Sequence, residues 1–232
     1  MREEKEFVDT LIISDIHLGS KVSRAHEALT MLKKYSCNRL ILLGDIFDDL
    51  NFERLNNDHW AFISYIRDLS AQDQKTEVVW VIGNHDELLM KVMSHLMNME
   101  AHRFYEWEYL GKKYLAIHGH QFDRFLSENI ILSAIASSIY FFIQRIDTKK
   151  QRISRAIKRM SKSWLRLSEK IAKSASLFGM FRKANYVFCG HTHQAMKKEF
   201  KKNKYYNSGC WTDIPSNYIT ILEDKITIHD VA

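Results

Sequence analysis

Proline occurs once in this 232-residue chain and glycine eight times, which excludes a collagen-like or proline-rich low-complexity protein. Cysteine is equally scarce. Cys37, Cys189 and Cys210 are an odd number with no CxxC spacing, so a disulfide-stapled secreted scaffold is not expected. Long apolar runs are missing too. The longest, Ile130–Ile143, has fourteen residues, whereas spanning a bilayer takes about 20, and it reads as a buried or interfacial helix. The opening Met1–Asp9 stretch is short and charged and does not read as a signal peptide. The expected location is a reducing cytosol, with or without contact to the inner face of a membrane.

What the chain does contain is a core-forming composition, 46% apolar and 27% charged, sized for one domain spanning residues 1–232. Its net charge of +6 is unevenly placed. Residues 124–183 carry fourteen Lys and Arg against three acids, a net of +11; the remainder carries 20 basic and 25 acidic residues, a net of −5. A mildly acidic body thus holds one strongly basic insert, placed at residues 124–185. Such an insert points to an anionic partner.

Five short apolar runs end in polar, glycine-containing turns. Thr10–Ser14 leads to DIHLGS, Arg39–Leu43 to GDIFDD, Val78–Ile82 to GNHDE, Tyr114–Ile117 to HGHQFD and Tyr186–Cys189 to GHTHQ. Continuous runs of this length suit strands buried on both faces. Helical-period stretches at Ala25–Tyr35 and Trp60–Leu69 separate the first three, as βαβ crossovers require. After Gly190 the segments KYYN, NYITILE and KITIHD read as an antiparallel meander. In open α/β sheets ligands bind outside the carboxyl ends of the strands, so all five turns are expected at one edge.

The turns deliver Asp15 and His17, Asp45, Asn84 with His85 and Asp86, His118 with His120, and His191 with His193. Carboxylate, imidazole and carboxamide together suit manganese, iron or zinc, and no cysteine stands in the turns to make a soft thiolate site. About seven such ligands exceed what one tetrahedral ion uses. The number fits two ions sharing a carboxylate, the device that clamps phosphoryl groups at a spacing of about 3.5–4 Å. Any one of these turns alone is ordinary capping and turn chemistry; five in series are not.

The series DIH, GDIFD, GNHD, HGH and GHTH resembles the calcineurin-like metallophosphoesterase superfamily. The resemblance implies an α/β fold: an α/β/β/α sandwich of two mixed β-sheets flanked by helices, here with a helical insert. It assigns Asp15, His17 and His193 to one ion, Asn84, His118 and His191 to a second, and Asp45 as the bridge. Two divalent ions are implied, manganese first, with iron or zinc as alternatives. His85 resembles the general acid, with Asp86 orienting its ring, and hydrolysis would follow in-line attack on phosphorus by a metal-activated hydroxide. His120 is expected beside the ligands as a hydrogen-bond partner or substrate contact, and Asp48 as a support.

Within the insert, Ser127–Arg145 reads as an apolar helix and Arg152–Lys173 as a basic amphipathic one, its stripe running Ile153, Ile157, Met160, Trp164, Leu167 and Ile171. Basic amphipathic helices bind anionic membranes, and Arg155, Arg159, Lys162 and Arg166 are the expected contacts to a substrate or membrane. Trp164, Phe178 and Phe181 fall among aliphatic residues, as in a packed or lipid-facing helix rather than a nucleic-acid-stacking one. A helical insert between these motifs, HGHQFD and YYNSGCW together resemble the UDP-2,3-diacylglucosamine hydrolase branch, which cleaves a lipid-linked pyrophosphate in lipid A synthesis. GNHD and HGH depart from that branch, whose best-known members carry arginine after the Asn and an acidic residue after the Gly. A phosphomonoester or diester of nucleotide type is the alternative substrate, and a non-catalytic protein- or nucleic-acid-binding scaffold the alternative role.

Overall fold

The computed structural model describes residues 5–71, 76–89, 99–123 and 162–232. The apolar helix expected at Ser127–Arg145, and Arg155 and Arg159, lie outside the described residues. The first sheet has the order β11-β10-β1-β2-β3-β4. Its members are β1 (Glu6–Ile13), β2 (Tyr35–Leu43), β3 (Glu77–Val81), β4 (Ala101–His102), β10 (Ser216–Leu222) and β11 (Lys225–Val231). The second, β5-β6-β7-β9-β8, comprises β5 (Tyr105–Tyr109), β6 (Lys112–Ala116), β7 (Tyr186–Cys189), β8 (Met196–Glu199) and β9 (Lys204–Asn207). Strands β1, β2 and β3 run parallel, as do β6, β7 and β9.

Alternation along each strand sorts the side chains into layers. Leu11, Ile13, Leu40, Leu42 and Trp80 face outward under α1 (Ala25–Lys33) and α2 (Asn57–Leu69). Ile12, Ile41, Leu43, Val79 and Val81 face inward and meet Trp107, Tyr114, Phe188 and Tyr206 of the second sheet. Leu115, Val187, Cys189 and Tyr205 cover the far side beneath Ala172 and Ala175 of α4 (Lys162–Phe181), which follows the one-turn α3 (His120–Asp123). The layers are therefore α/β/β/α, as the resemblance implies. His59, an unassigned histidine in sequence, closes the α2 capping box: its ring accepts the backbone N–H of Asn56 at 3.2 Å and that of Gly19 at 3.3 Å.

The expected terminal meander is corrected. KYYN forms β9, which joins the second sheet parallel to β7 and antiparallel to β8, whereas β10 and β11 form a hairpin at the edge of the first. Apolar alternation reports that a segment is a strand, not which sheet receives it.

Candidate functional site

The carboxyl ends of β1, β2 and β3 meet those of β6 and β7, and the two sheets are tied together there. The Asp15 N–H donates to the Gly44 carbonyl at 2.9 Å, and the His17 N–H to that of Asp45 at 3.0 Å. Across the sheets, the His191 N–H lies 3.1 Å from both carboxylate oxygens of Asp15, and the Trp211 N–H donates to the Asp15 carbonyl at 3.0 Å. Five residues of these turns adopt left-handed backbone: Asp15 (φ 52°), His17 (51°), Asp45 (50°), His191 (67°) and His193 (52°). Non-glycine residues visit this region at an energetic cost, and such strain concentrates at functional sites.

Three groups of side chains converge. Asp15, His17 and His193 form one, Asp45, His118 and His191 a second, and His17, Asp48 and His85 a third that shares His17 with the first. Asp15, His17, Asp45 and His118 are buried. In the first group His193 Nε2 is 3.2 Å from both Asp15 Oδ1 and His17 Nε2. In the second, His118 Nε2 is 3.2 Å from Asp45 Oδ2. His118 Nδ1 donates to the Leu43 carbonyl at 2.8 Å, which turns its Nε2 toward the carboxylate oxygen. At that distance in a buried site an imidazole nitrogen and a carboxylate need a proton or a metal ion between them.

The protonation equilibria state the same demand. Burial by itself would raise the Asp45 carboxyl, but the charge and hydrogen bond of His118, with His17 and His85, outweigh it and hold the group well below the usual range. Asp15 is lowered in the same way, burial being outweighed by His193. Burial opposes charging of His118, yet Asp45 and then Asp15 lift it to about 9. His193 is raised well above its ordinary value, burial being outweighed by Cys210 and Asp15. Imidazole and carboxylate at this spacing suit a divalent ion of the zinc, iron or manganese kind, and the residues fit such ions.

The glycines between these turns are there to let side chains in. A Cβ at Gly83 would stand 2.1 Å from Asp45 Oδ1, one at Gly190 2.4 Å from Asp15 Oδ2, and one at Gly44 2.3 Å from His118 Nδ1.

The structure brings together Asp15, His17, Asp45, His85, His118, His191 and His193. Asn84 is exposed in the turn after β3, beside His85. His120 opens α3 with its ring 5.4 Å from that of His118 and 6.2 Å from that of His191. Asp86 is corrected. Its carboxylate does not orient His85 but accepts the backbone N–H groups of Ile46 and Phe47, each at 3.1 Å, and of Gly83 at 3.2 Å. Burial, reinforced by Asp45, raises its pKa to about 6. The His85 ring is held instead by the Asp48 carbonyl, which accepts from Nδ1 at 2.6 Å, while the His85 N–H donates to Asp45 Oδ1 at 2.9 Å. Lys162 begins α4 and Arg166 is exposed on it.

Asp48 acts through both its carbonyl and its side chain: Oδ1 lies 3.4 Å from His17 Nδ1, and Oδ2 accepts from Arg54 at 2.7 Å. Asp123, unassigned in sequence, places Oδ2 2.7 Å from His191 Nε2. The signal was available, because Asp123 closes the HGHQFD motif one helical turn after His120. Thr212 Oγ1, 3.4 Å from His193 Nδ1, carried no comparable signal.

Comparison with known proteins gives a consistent answer. The family described as calcineurin-like phosphoesterase matches residues 9–195. Among solved structures, a hypothetical protein from Pyrococcus horikoshii OT3 is similar at 10% identity and a TM-score of 0.55, covering 97% of this chain and 88% of its own. A novel archaeal phosphodiesterase is similar at 13% identity and a TM-score of 0.50, covering 96% and 99%. Vacuolar Protein Sorting 29 from Cryptosporidium parvum is similar at 12% identity and a TM-score of 0.50, covering 97% of both chains. At these identities the likeness is one of fold. No curated protein matches the chain.

Proposed function

This chain belongs to the calcineurin-like phosphoesterase family, and from that premise we propose that it hydrolyses a phosphoric ester or pyrophosphate bond at the edge shared by its two sheets. The observation that carries the reading is the convergence of Asp15, His17 and His193 with Asp45, His118 and His191, the candidate ligand atoms of each group lying within 4.8 Å of one another in a largely buried site. Asp15, His17 and His193 would hold one ion and His118 and His191 a second, with Asp45 between them and Asn84 as a further ligand. Divalent ions bound there supply positive charge for phosphoryl oxygens and acidify water enough to give hydroxide near neutral pH.

The chain's own residues do the rest. Donation of His85 Nδ1–H to the Asp48 carbonyl fixes the ring so that Nε2 is the nitrogen that would, in the doubly protonated ring, pass its proton to a leaving oxygen. Asp48 fixes His17 and His85 together, and Asp86 fixes the two turns that carry Asp45 and His85. Pinned side chains in a site held this tightly lower the barrier by being placed before the substrate arrives.

For the substrate, HGHQFD, YYNSGCW and the basic helical insert support a lipid-linked nucleotide pyrophosphate of the UDP-2,3-diacylglucosamine kind. A soluble nucleotide diester is the competing substrate. The test is side-by-side turnover of UDP-2,3-diacylglucosamine, ADP-ribose and bis(p-nitrophenyl) phosphate with manganese present. Preference for the first by 100-fold or more supports the lipid-linked reading. Preference for ADP-ribose overturns it while keeping the phosphoesterase, and inertness on all three overturns both.

A further inference from the structure

Helix α4 carries a feature that the catalytic site does not explain. Its inner face is set by Ser168, Ile171, Ala172, Ala175 and Ser176, all buried, and by Gly179, where a Cβ would stand 2.3 Å from Val187 Cγ2. Directly opposite, at i+4, i+3, i+4 and i+4 spacing, run Arg166, Lys170, Lys173, Leu177 and Phe181, all exposed. The face turned away from a core is normally polar. Here its first half is cationic, but Leu177 is 63% and Phe181 80% exposed, and exposed Lys183 follows them. Packing on the sheet needs neither half of this stripe.

We propose that this outer stripe of α4 docks on an anionic lipid surface, with Arg166, Lys170 and Lys173 meeting headgroup phosphates and Leu177 and Phe181 entering the interface. Charge decides between occupants. A second copy of the chain would offer this stripe three more cations and no carboxylate, whereas an anionic leaflet attracts them at about 1 kcal/mol per residue. Length agrees, since the stripe from Arg166 to Phe181 runs along one helix for roughly 22 Å. Basic residues beside bulky apolar ones on one helical face are the composition of an interfacial helix, and among the described residues no helix is long and apolar enough to cross a membrane.

The inner side of the same helix packs behind the site. Ile171 Cγ2 lies 3.6 Å from where a Cβ at Gly119 would be, and Phe178 packs on Phe122 of α3 at 6.2 Å between ring centroids. If the substrate is lipid-linked, docking through α4 sets the His118 turn beside the layer that holds it. That purpose rests on the reading above; the docking itself does not.

The experiment is co-sedimentation of the full chain with vesicles of phosphatidylcholine alone and of phosphatidylcholine with 30% phosphatidylglycerol. Bis(p-nitrophenyl) phosphate turnover and light-scattering mass are measured in parallel. The expected result is binding to the anionic vesicles only, weakened by added salt. Leu177→Glu/Phe181→Glu and Lys170→Glu/Lys173→Glu should each reduce it by more than about tenfold with turnover and melting temperature unchanged. Three results overturn the proposal: no binding of the wild type to anionic vesicles, equal binding by the variants, or a wild-type dimer that Leu177→Glu/Phe181→Glu makes monomeric. Failure of the substrate reading shows in turnover alone, so the two are distinguishable.

Discussion

Replacing Gly83 with alanine should disarm the site while leaving the fold in place. Gly83 does not occupy the left-handed region, so alanine is conformationally acceptable there and the substitution reports crowding alone. The new methyl carbon would stand 2.3 Å from the Asp45 backbone nitrogen and 2.1 Å from its Oδ1. Ordinary contact needs about 3.5 Å, so the two turns must part by more than about 1 Å. Asp45 cannot withdraw without loss: its Oδ1 takes the His85 N–H at 2.9 Å, its Oδ2 faces His118, and its carbonyl takes the His17 N–H at 3.0 Å. Metal–ligand distances tolerate about 0.2 Å, and a misplacement of about 1 Å costs on the order of 100-fold in rate. The expected outcome is a folded protein, destabilised by about 1–3 kcal/mol from overpacking, that retains less metal after dialysis and loses at least about 100-fold in kcat/KM on a model diester. Gly111→Ala is the control. It has φ 70° and nothing within 4 Å of its Cβ, so it should cost about 1 kcal/mol of stability and leave metal content alone. Wild-type turnover and metal stoichiometry in Gly83→Ala would show that the Gly83–Asp45 contact does not set the site.

Asp123→Ala should weaken metal retention by roughly 10–100-fold through loss of its hold on His191 Nε2, and Asp123→Asn, which keeps an acceptor, should recover part of it. Equal affinity in both variants and wild type, by calorimetric titration, would remove Asp123 from the site. Asp86→Ala strands the N–H groups of Ile46, Phe47 and Gly83, at about 1–3 kcal/mol for each left unsatisfied. A urea midpoint equal to wild type, with only the pH profile of turnover moved, would return Asp86 to the ring-orienting role. Burial raises the Cys37 thiol to about 11, so at pH 8 roughly one molecule in a thousand holds it as the reactive thiolate. Iodoacetamide should therefore label Cys37 slowly in the native protein and at ordinary thiol rates in urea. Because the folded value lies above the unfolded one, its contribution to stability is complete below pH 9 and lost as pH rises through about 11. Rapid native labelling at pH 8 would contradict this.

Much of the site was legible because each ligand sits directly after a buried strand, and strand-end turns in parallel sheets must collect at one edge. Asp15, His17, Asp45, His118, His191 and His193 follow from that rule before any pairing is known. Two kinds of feature were not. Edge strands such as Tyr105–Tyr109, with Glu106 and Glu108 at alternate positions, and Met196–Glu199, with two lysines, lack the apolar run that marks a central strand. The partners of polar side chains are set by tertiary approach: Asp86 adjoins His85 in sequence but serves Ile46 and Phe47, while Asp48, 37 residues away, holds the ring. Adjacency along the chain gave no account of either.

Asp15, His17, Asp45, His118, His191 and His193 are proposed to form a two-ion phosphoesterase centre. Its most direct test is bis(p-nitrophenyl) phosphate turnover by chelator-treated protein as manganese, zinc or iron is titrated back, with bound metal counted alongside. Turnover is expected to be lost with the metal, to return as two ions bind per chain, and to stay absent in a folded Asp45→Ala variant. Turnover that survives complete metal removal, or that Asp45→Ala retains in full, would contradict it.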